Sequence, residues 1–327
     1  MRVYRKARLL AAGSILATLL SAHARAQAWL SPQGEASLSM GYGNIFVKDH
    51  LDGEGGTFQD GNMRSNTIGL ALEYAVTNRL SVDVGIPWVN GKYMGQDPHI
   101  QLNGSTLDDG TYHGAFTDLG LGVRWQALHD PIALAPYAAA IIPTHSYTYF
   151  AHSAPGKDLH EYLLGFFAGR RLDPILDDGY VQLRYSYNFV EKVIGISHNQ
   201  SSADLTLGYF LTSALSARGV LSYLYTHGGL SIDEILSMCD PVLQCGPDDP
   251  TPVWQHHDQI THDVALNGGI GLSYSLTGSV DVFANYFTTF LGRNGHKVAN
   301  GLSFGVTWNF SPVQVLRQMT GKPPAEP

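Results

Sequence analysis

Nine charged side chains stand one position out of step with apolar neighbours: Glu73, Asp83, Asp118, Arg124, Arg184, Asp204, Arg218, Asp263 and Asp281. Gln182, Asn188, Asn267 and Asn285 do the same. Gathered on one surface, carboxylates and guanidinium groups either orient a polar solute or neutralise one another. Other chemistry is thin. Cys239 and Cys245 lie six positions apart among Asp and Pro residues, where oxidising conditions favour a local disulfide; without a second pair they make a poor zinc site. The stretch WQHHDQITHD brings His256, His257, Asp258, His262 and Asp263 together. Adjacent His256 and His257 diverge in an extended chain, so solvated loop residues, and no metal, are expected there. Ser197, His198, Asn199 and Ser201 are the one nucleophile-and-base neighbourhood, without the flanking pattern of a lipid hydrolase. There is no phosphate-cradling glycine loop and no basic patch with interleaved aromatics, so no catalytic residue, cofactor or nucleic-acid partner is expected.

The elements that must position the charges are strands. From Arg79 to Trp88 the even positions are Leu80, Val82, Val84, Ile86 and Trp88, while Ser81, Asp83 and Gly85 take the odd ones. The same period of two runs through Ile68, Leu70, Leu72, Tyr74 and Val76, through Leu119, Leu121, Val123 and Trp125, through Val181 to Phe189, and through Leu205 to Leu211. Half-buried strands require this spacing and helices cannot use it. Less regular members span Glu35 to Ile45, Ile132 to Pro143, Leu159 to Arg170, Leu215 to Tyr225, Gln259 to Tyr274, Ser279 to Phe290 and Gly301 to Phe310. Most reach about ten residues, the length a tilted strand needs to cross a bilayer.

Connections alternate between short and long. Short ones are Thr77 and Asn78, His129 to Pro131, Arg171 to Gly179, Thr212 to Ala214, and Ser275 to Gly278. Long ones contain Asn44 to Asn66, Val89 to Ala115, Thr144 to Asp158, Lys192 to Asn199, Thr226 to Asp258, and Leu291 to Asn300. The expected fold class is all-β: a transmembrane antiparallel up-and-down β-barrel of about 12 strands, with short periplasmic turns and long outer loops. Trp88, Phe189, Tyr223 and Tyr225 fall at one rim and Trp125, Tyr274, Trp308 and Phe310 at the other, where interfacial aromatics belong. Charges on the lipid face would be costly, so parity turns the nine inward. Closing twelve strands gives a backbone radius of about 12 Å, wide enough for a pore. Inward Gly69, Ala71, Gly120, Gly122, Gly208, Gly269, Gly271 and Gly305 leave room beside the charges or ease curvature.

The 327 residues are 44% hydrophobic and 15% charged, with 36 glycines. Outside the first thirty positions no run of eighteen apolar residues occurs, which excludes a bundle of membrane helices. Arg2, Arg5, Lys6 and Arg8, an apolar stretch from Leu9 to Ala22, and Ala24-Arg25-Ala26 read as an export signal cleaved after Ala26. Removing its five bases leaves 15 bases against 28 acids, a net charge of −13. The expected organisation is a signal peptide over 1–26, a barrel over 27–310 and a periplasmic tail over 311–327. The expected place is the outer membrane of a Gram-negative bacterium. Its lipid and lipopolysaccharide, the barrel-insertion machinery and a small solute are the expected partners.

The segment GAFTDLGLGVRWQALHDPIALAPYAAAIIPT, residues 114–144, resembles the outer-membrane family of the phenol meta-cleavage pathway. That family pairs a Gly-Asp-containing strand, a short turn and a return strand ending in Pro-Thr-Gly; here Thr117 precedes Asp118 and His145 follows Thr144. The resemblance implies a channel for aromatic or other hydrophobic compounds, without catalytic residues, and makes Asp118 the one matched polar position. The last strand, GLSFGVTWNF, also resembles the terminal targeting strand of outer-membrane barrels, with a tail beyond Phe310. The implied function is passive uptake through the lumen or an opening in its wall. A structural or surface-adhesion barrel with a closed lumen is the alternative, since lumen polarity alone favours a hydrophilic solute.

Overall fold

The computed structural model describes residues 28–320 apart from positions 244, 247 and 248. The expected signal peptide and the last seven residues of the tail lie outside them. Alternation does its work immediately: Leu302, Phe304, Val306 and Trp308 on the last strand stand 39–57% exposed, and Leu205 and Leu207 45% and 55%. Apolar rows this open need hydrocarbon against them.

In chain order the strands are β1 (Ala36–Leu51), β2 (Thr57–Phe58), β3 (Asn62–Thr77), β4 (Leu80–Met94), β5 (His113–Phe116), β6 (Asp118–Trp125), β7 (Ala133–Pro143), β8 (Glu161–Arg171), β9 (Gly179–Val190), β10 (His198–Phe210), β11 (Leu215–Gly228), β12 (Val264–Thr277), β13 (Val280–Arg293) and β14 (Gly295–Phe310). Neighbours pair antiparallel, and β14 closes on β1 from Ala36 opposite Phe310 to Leu51 opposite Gly295. β5 and β6 both pair with β4 and form one stave interrupted at Thr117, while β2 caps the tip of β1. The result is a closed barrel of twelve staves.

Among the described residues there are four helices: α1 (Ile232–Met238), α2 (Pro252–Gln255), α3 (His257–Ile260) and α4 (Pro312–Thr320). Ser231 and Glu234 start α1 with a reciprocal capping box.

Several expected boundaries are corrected. The predicted strand from Gln259 begins only at Val264, because 257–260 coil into α3. Most of the predicted long loop Leu291 to Asn300 is strand: β13 continues to Arg293 along β12 and β14 starts at Gly295 along β1, the two pairing with each other only as far as Phe287 opposite Gly301, and Asn294 between them takes φ 52°. β1, β3, β4, β5 and β10 likewise run into stretches predicted as loops. The physical reason is shared. Apolar alternation ends where lipid contact ends, whereas backbone pairing continues above it through polar rows such as Asn44, Asn66 and Asn90, whose side chains hydrogen-bond in sequence along the outward face.

Buried apolar clusters gather at the loop end, where the connections fold back into the barrel mouth. One joins Phe150, Ile232, Ile235, Cys239, Cys245 and Trp254; another joins Leu159, Val190, Val193 and Ile260. Cys239 and Cys245 are joined in a disulfide, with Cα atoms 5.2 Å apart.

Candidate functional site

The lumen holds a partly open cavity of about 360 Å³. Its lining mixes small inward residues (Gly41, Gly69, Ala71, Gly85, Gly120, Ala139) with Phe167, Tyr137 and the charged set. Glu73, Asp83, Asp118, Arg124, Arg184 and Asp281 all line it. Strand pairing explains the convergence: Glu73 lies opposite Asp83 and Ser81 opposite Arg124, so three charged residues of β3, β4 and β6 share one level. Asp83 also folds over Gly122, where an added Cβ would come within 2.5 Å of its carboxylate.

These charges are answered within the wall. Arg124 pairs with Glu73. Arg184 lies 3.6 Å from Asp204 and donates to the Tyr137 hydroxyl at 3.3 Å, and both arginines pack against the Phe167 ring, at 5.5 and 5.9 Å. Asp281 accepts from Ser275 at 2.6 Å and Asn309 at 2.8 Å. Asp118 accepts from Tyr147, a residue of the β7–β8 loop, at 2.6 Å. The two ion pairs cancel part of the wall's charge, whereas Asp118 and Asp281 are held by neutral hydroxyl and amide donors.

The other three members of the set stand apart from the cavity. Asp204 sits behind Arg184 and accepts from Ser222. Arg218 is held by Asn285 at 2.7 Å and Ser273 at 3.2 Å. Asp263 lies at the loop end, 3.6 Å from Lys157, a cavity-lining residue. Burial pushes the Asp263 carboxyl up to about 7, with Lys157 opposing.

Both ends of the lumen are occupied by the chain itself. At the turn end, residues 28–31 enter the barrel: Ala28 N–H donates to Gln182, Gln126 donates to the Ala28 carbonyl, and Leu30 N–H donates to Gln126. Trp29 lines the cavity floor. Gly169 makes room for this segment, since an added Cβ would approach Ala28 and the Trp29 ring to 2.6–2.7 Å. At the loop end, His257 is fully buried, stacked on Trp254 at 4.5 Å, and Asp258 is buried beside it. The expected solvated loop is thereby corrected for this pair. The turns of α2 and α3 send His256 to Tyr149 and His262 to the Gly228 carbonyl, so the three histidines do not converge.

Sequence reasoning missed Lys157, Glu161 and Trp29 in the lining. Parity within β8 identifies Glu161, because Tyr162 and Leu164 face outward at 56% exposure each; the other two lie outside any periodic stretch. Ser197, His198 and Asn199 do not assemble around Ser201. Instead the Ser201 hydroxyl meets Nε2 of exposed His227, from the adjacent strand, at 2.8 Å on the outward face. Among the described residues no side chain hydrogen-bonds the other ring nitrogen of His227, so the pair lacks an orienting third group.

No family model matches this chain, and no curated protein matches it. Solved structures do. An outer-membrane channel from Pseudomonas putida F1 overlays with a TM-score of 0.66 at 14% identity, over 88% of this chain and 99% of that one. The NanC porin gives 0.48 at 10% identity over 83% and 98%, and the KdgM porin in complex with disordered oligogalacturonate gives 0.43 at 10% over 84% and 99%. The first overlay places the fold among outer-membrane β-barrels; the other two are too loose to add to it.

Proposed function

We propose that this chain is an outer-membrane channel through which small solutes pass passively, and that residues 28–31 and the outer loops are its two closures. The cavity of about 360 Å³ between them carries the reading. It falls in the size range of small-molecule sites. Part of its charge is cancelled by the Glu73–Arg124 and Arg184–Asp204 pairs, and Gly, Ala, Phe167 and Tyr137 supply neutral surface, which suits an uncharged or weakly polar solute. Aromatic or other hydrophobic compounds are the solute class proposed, on the resemblance of residues 114–144. A Gram-negative outer membrane, reached by cleavage of the first 26 residues, is the proposed location, with lipopolysaccharide against the outward face and a periplasmic tail.

Liposome swelling with the purified protein tests permeation, using a neutral single-ring phenolic and a sugar of similar size. Swelling with the phenolic supports the reading. An impermeable barrel, both intact and with residues 28–31 deleted, favours the alternative of a closed structural or adhesion barrel, for which the filled loop end is the supporting observation. Equal phenolic uptake by cells with and without the gene at limiting concentration counts against the solute class.

A further inference from the structure

We propose that His99, His152 and Asp108 form a binding site for a divalent transition-metal ion of zinc-like preference, which ties the β4–β5 loop to the β7–β8 loop over the barrel mouth. The three residues are buried, and their candidate donor atoms all lie within 4.8 Å of one another. The argument starts from a proton. His152 Nε2 lies 2.8 Å from the Asp97 carbonyl, and a carbonyl only accepts, so that nitrogen carries the hydrogen in the neutral ring. Nδ1 of His152 is then a bare lone pair, buried and without a hydrogen-bond partner. A buried acceptor without a donor costs free energy that a cation recovers.

The rest of the arrangement is that of a metal site's support. A ring N–H to a backbone carbonyl is the usual outer contact of a metal-binding histidine, fixing tautomer and orientation. The His99 and His152 rings stack at 4.1 Å with their in-plane lone pairs nearly parallel, so the rings must splay to share an ion, and His99 Nδ1 stands 3.6 Å from Asp108 Oδ2, too long for a hydrogen bond. Asp108 brings formal negative charge and is anchored by N–H groups of His99, His152 and Ser153, each at 3.0 Å. Donors around tetrahedral zinc sit about 3.4 Å apart, so loading asks for an inward shift on the order of 1 Å. Two imidazoles and one carboxylate select zinc, cobalt or nickel over calcium or magnesium.

The full chain, folded in detergent and stripped with a chelator, is titrated with Co²⁺ and followed in the visible, then with Zn²⁺ by calorimetry. One equivalent per chain, with the intense bands of low-coordinate cobalt, is expected. At least a tenfold loss of affinity is expected in His99→Gln and in His152→Gln, and none in His129→Gln, whose ring is exposed. Absence of saturable binding overturns the proposal, as does unchanged binding in both core variants. If those variants lose folded mobility on a gel, the wild-type spectrum decides: weak octahedral bands alone overturn the site, and intense bands displaced by one equivalent of Zn²⁺ uphold it.

Discussion

The Tyr147 hydroxyl donates to Asp118 across 2.6 Å and accepts the Asp158 N–H at 3.0 Å, so one phenol latches the β7–β8 loop onto a lumen carboxylate. Burial and the neighbouring Asp118 both push the Tyr147 phenol up, keeping it a donor at any physiological pH. Tyr147→Phe keeps the ring and removes the latch. A lost hydrogen bond to a buried carboxylate costs about 1–3 kcal/mol. Single-channel conductance is expected to show more frequent or longer openings in the variant; unchanged gating would place loop closure elsewhere.

At the turn end, Gln126 is the anchor of the inserted segment, donating to the Ala28 carbonyl and accepting from Leu30 N–H. Gln126→Leu leaves both backbone groups unpaired inside the barrel. The segment is expected to leave the lumen, raising conductance several-fold and exposing residues near Trp29 to added protease. Gly169→Val is expected to act the same way by occupying the space of the Trp29 ring.

The barrel and six of its cavity-lining charges were legible in the sequence because one physical quantity, contact with hydrocarbon, stamps a period of two on every stave it touches. Glu73, Asp83 and Arg124 could be assigned to the inside from the exposed apolar residues beside them. That quantity ends at the membrane surface. Only Asn294 stands between two strands where a ten-residue loop was expected, since polar strand residues above the lipid look like loop residues. Lys157, Trp29 and the His99–His152 stack belong to segments without periodicity, whose positions depend on contacts such as Asp108 with Ser153, 45 residues away.

Asp263 supplies a pH signature. Its carboxyl titrates near 7 when folded and near 3.8 when exposed, so between those values the folded protein holds a proton that the unfolded chain has released. Stability from this group is therefore fully present below about pH 4 and is lost as pH rises to about 7, after which it is flat; the full swing is at most about 4 kcal/mol. Asp263→Asn removes that slope. The temperature at which heat-modified mobility changes, measured from pH 4 to 8, is expected to fall less steeply in the variant than in the wild type. Parallel curves would mean that Asp263 is ionised throughout, paired with Lys157.

Arg124 is the cation shared by the β3–β4–β6 charge level, paired with Glu73 and lying near Asp83 across Gly122. Arg124→Met keeps the packing against Phe167 and deletes the charge, leaving two carboxylates facing the cavity. This level, one cation against two carboxylates in the wild type, then keeps both carboxylates with no cation among them, which attracts cations and repels anions more strongly. Reversal potentials across a salt gradient are expected to shift toward cation selectivity, and the shift should shrink as ionic strength rises. Loss of one partner of a buried pair costs up to about 3–5 kcal/mol, so a lower unfolding temperature is expected too. Arg184→Met, which leaves Asp204 hydrogen-bonded to Ser222 away from the cavity lining, is expected to change selectivity less. Equal selectivity in the two variants would show that solutes do not sense the Glu73 level on their way through.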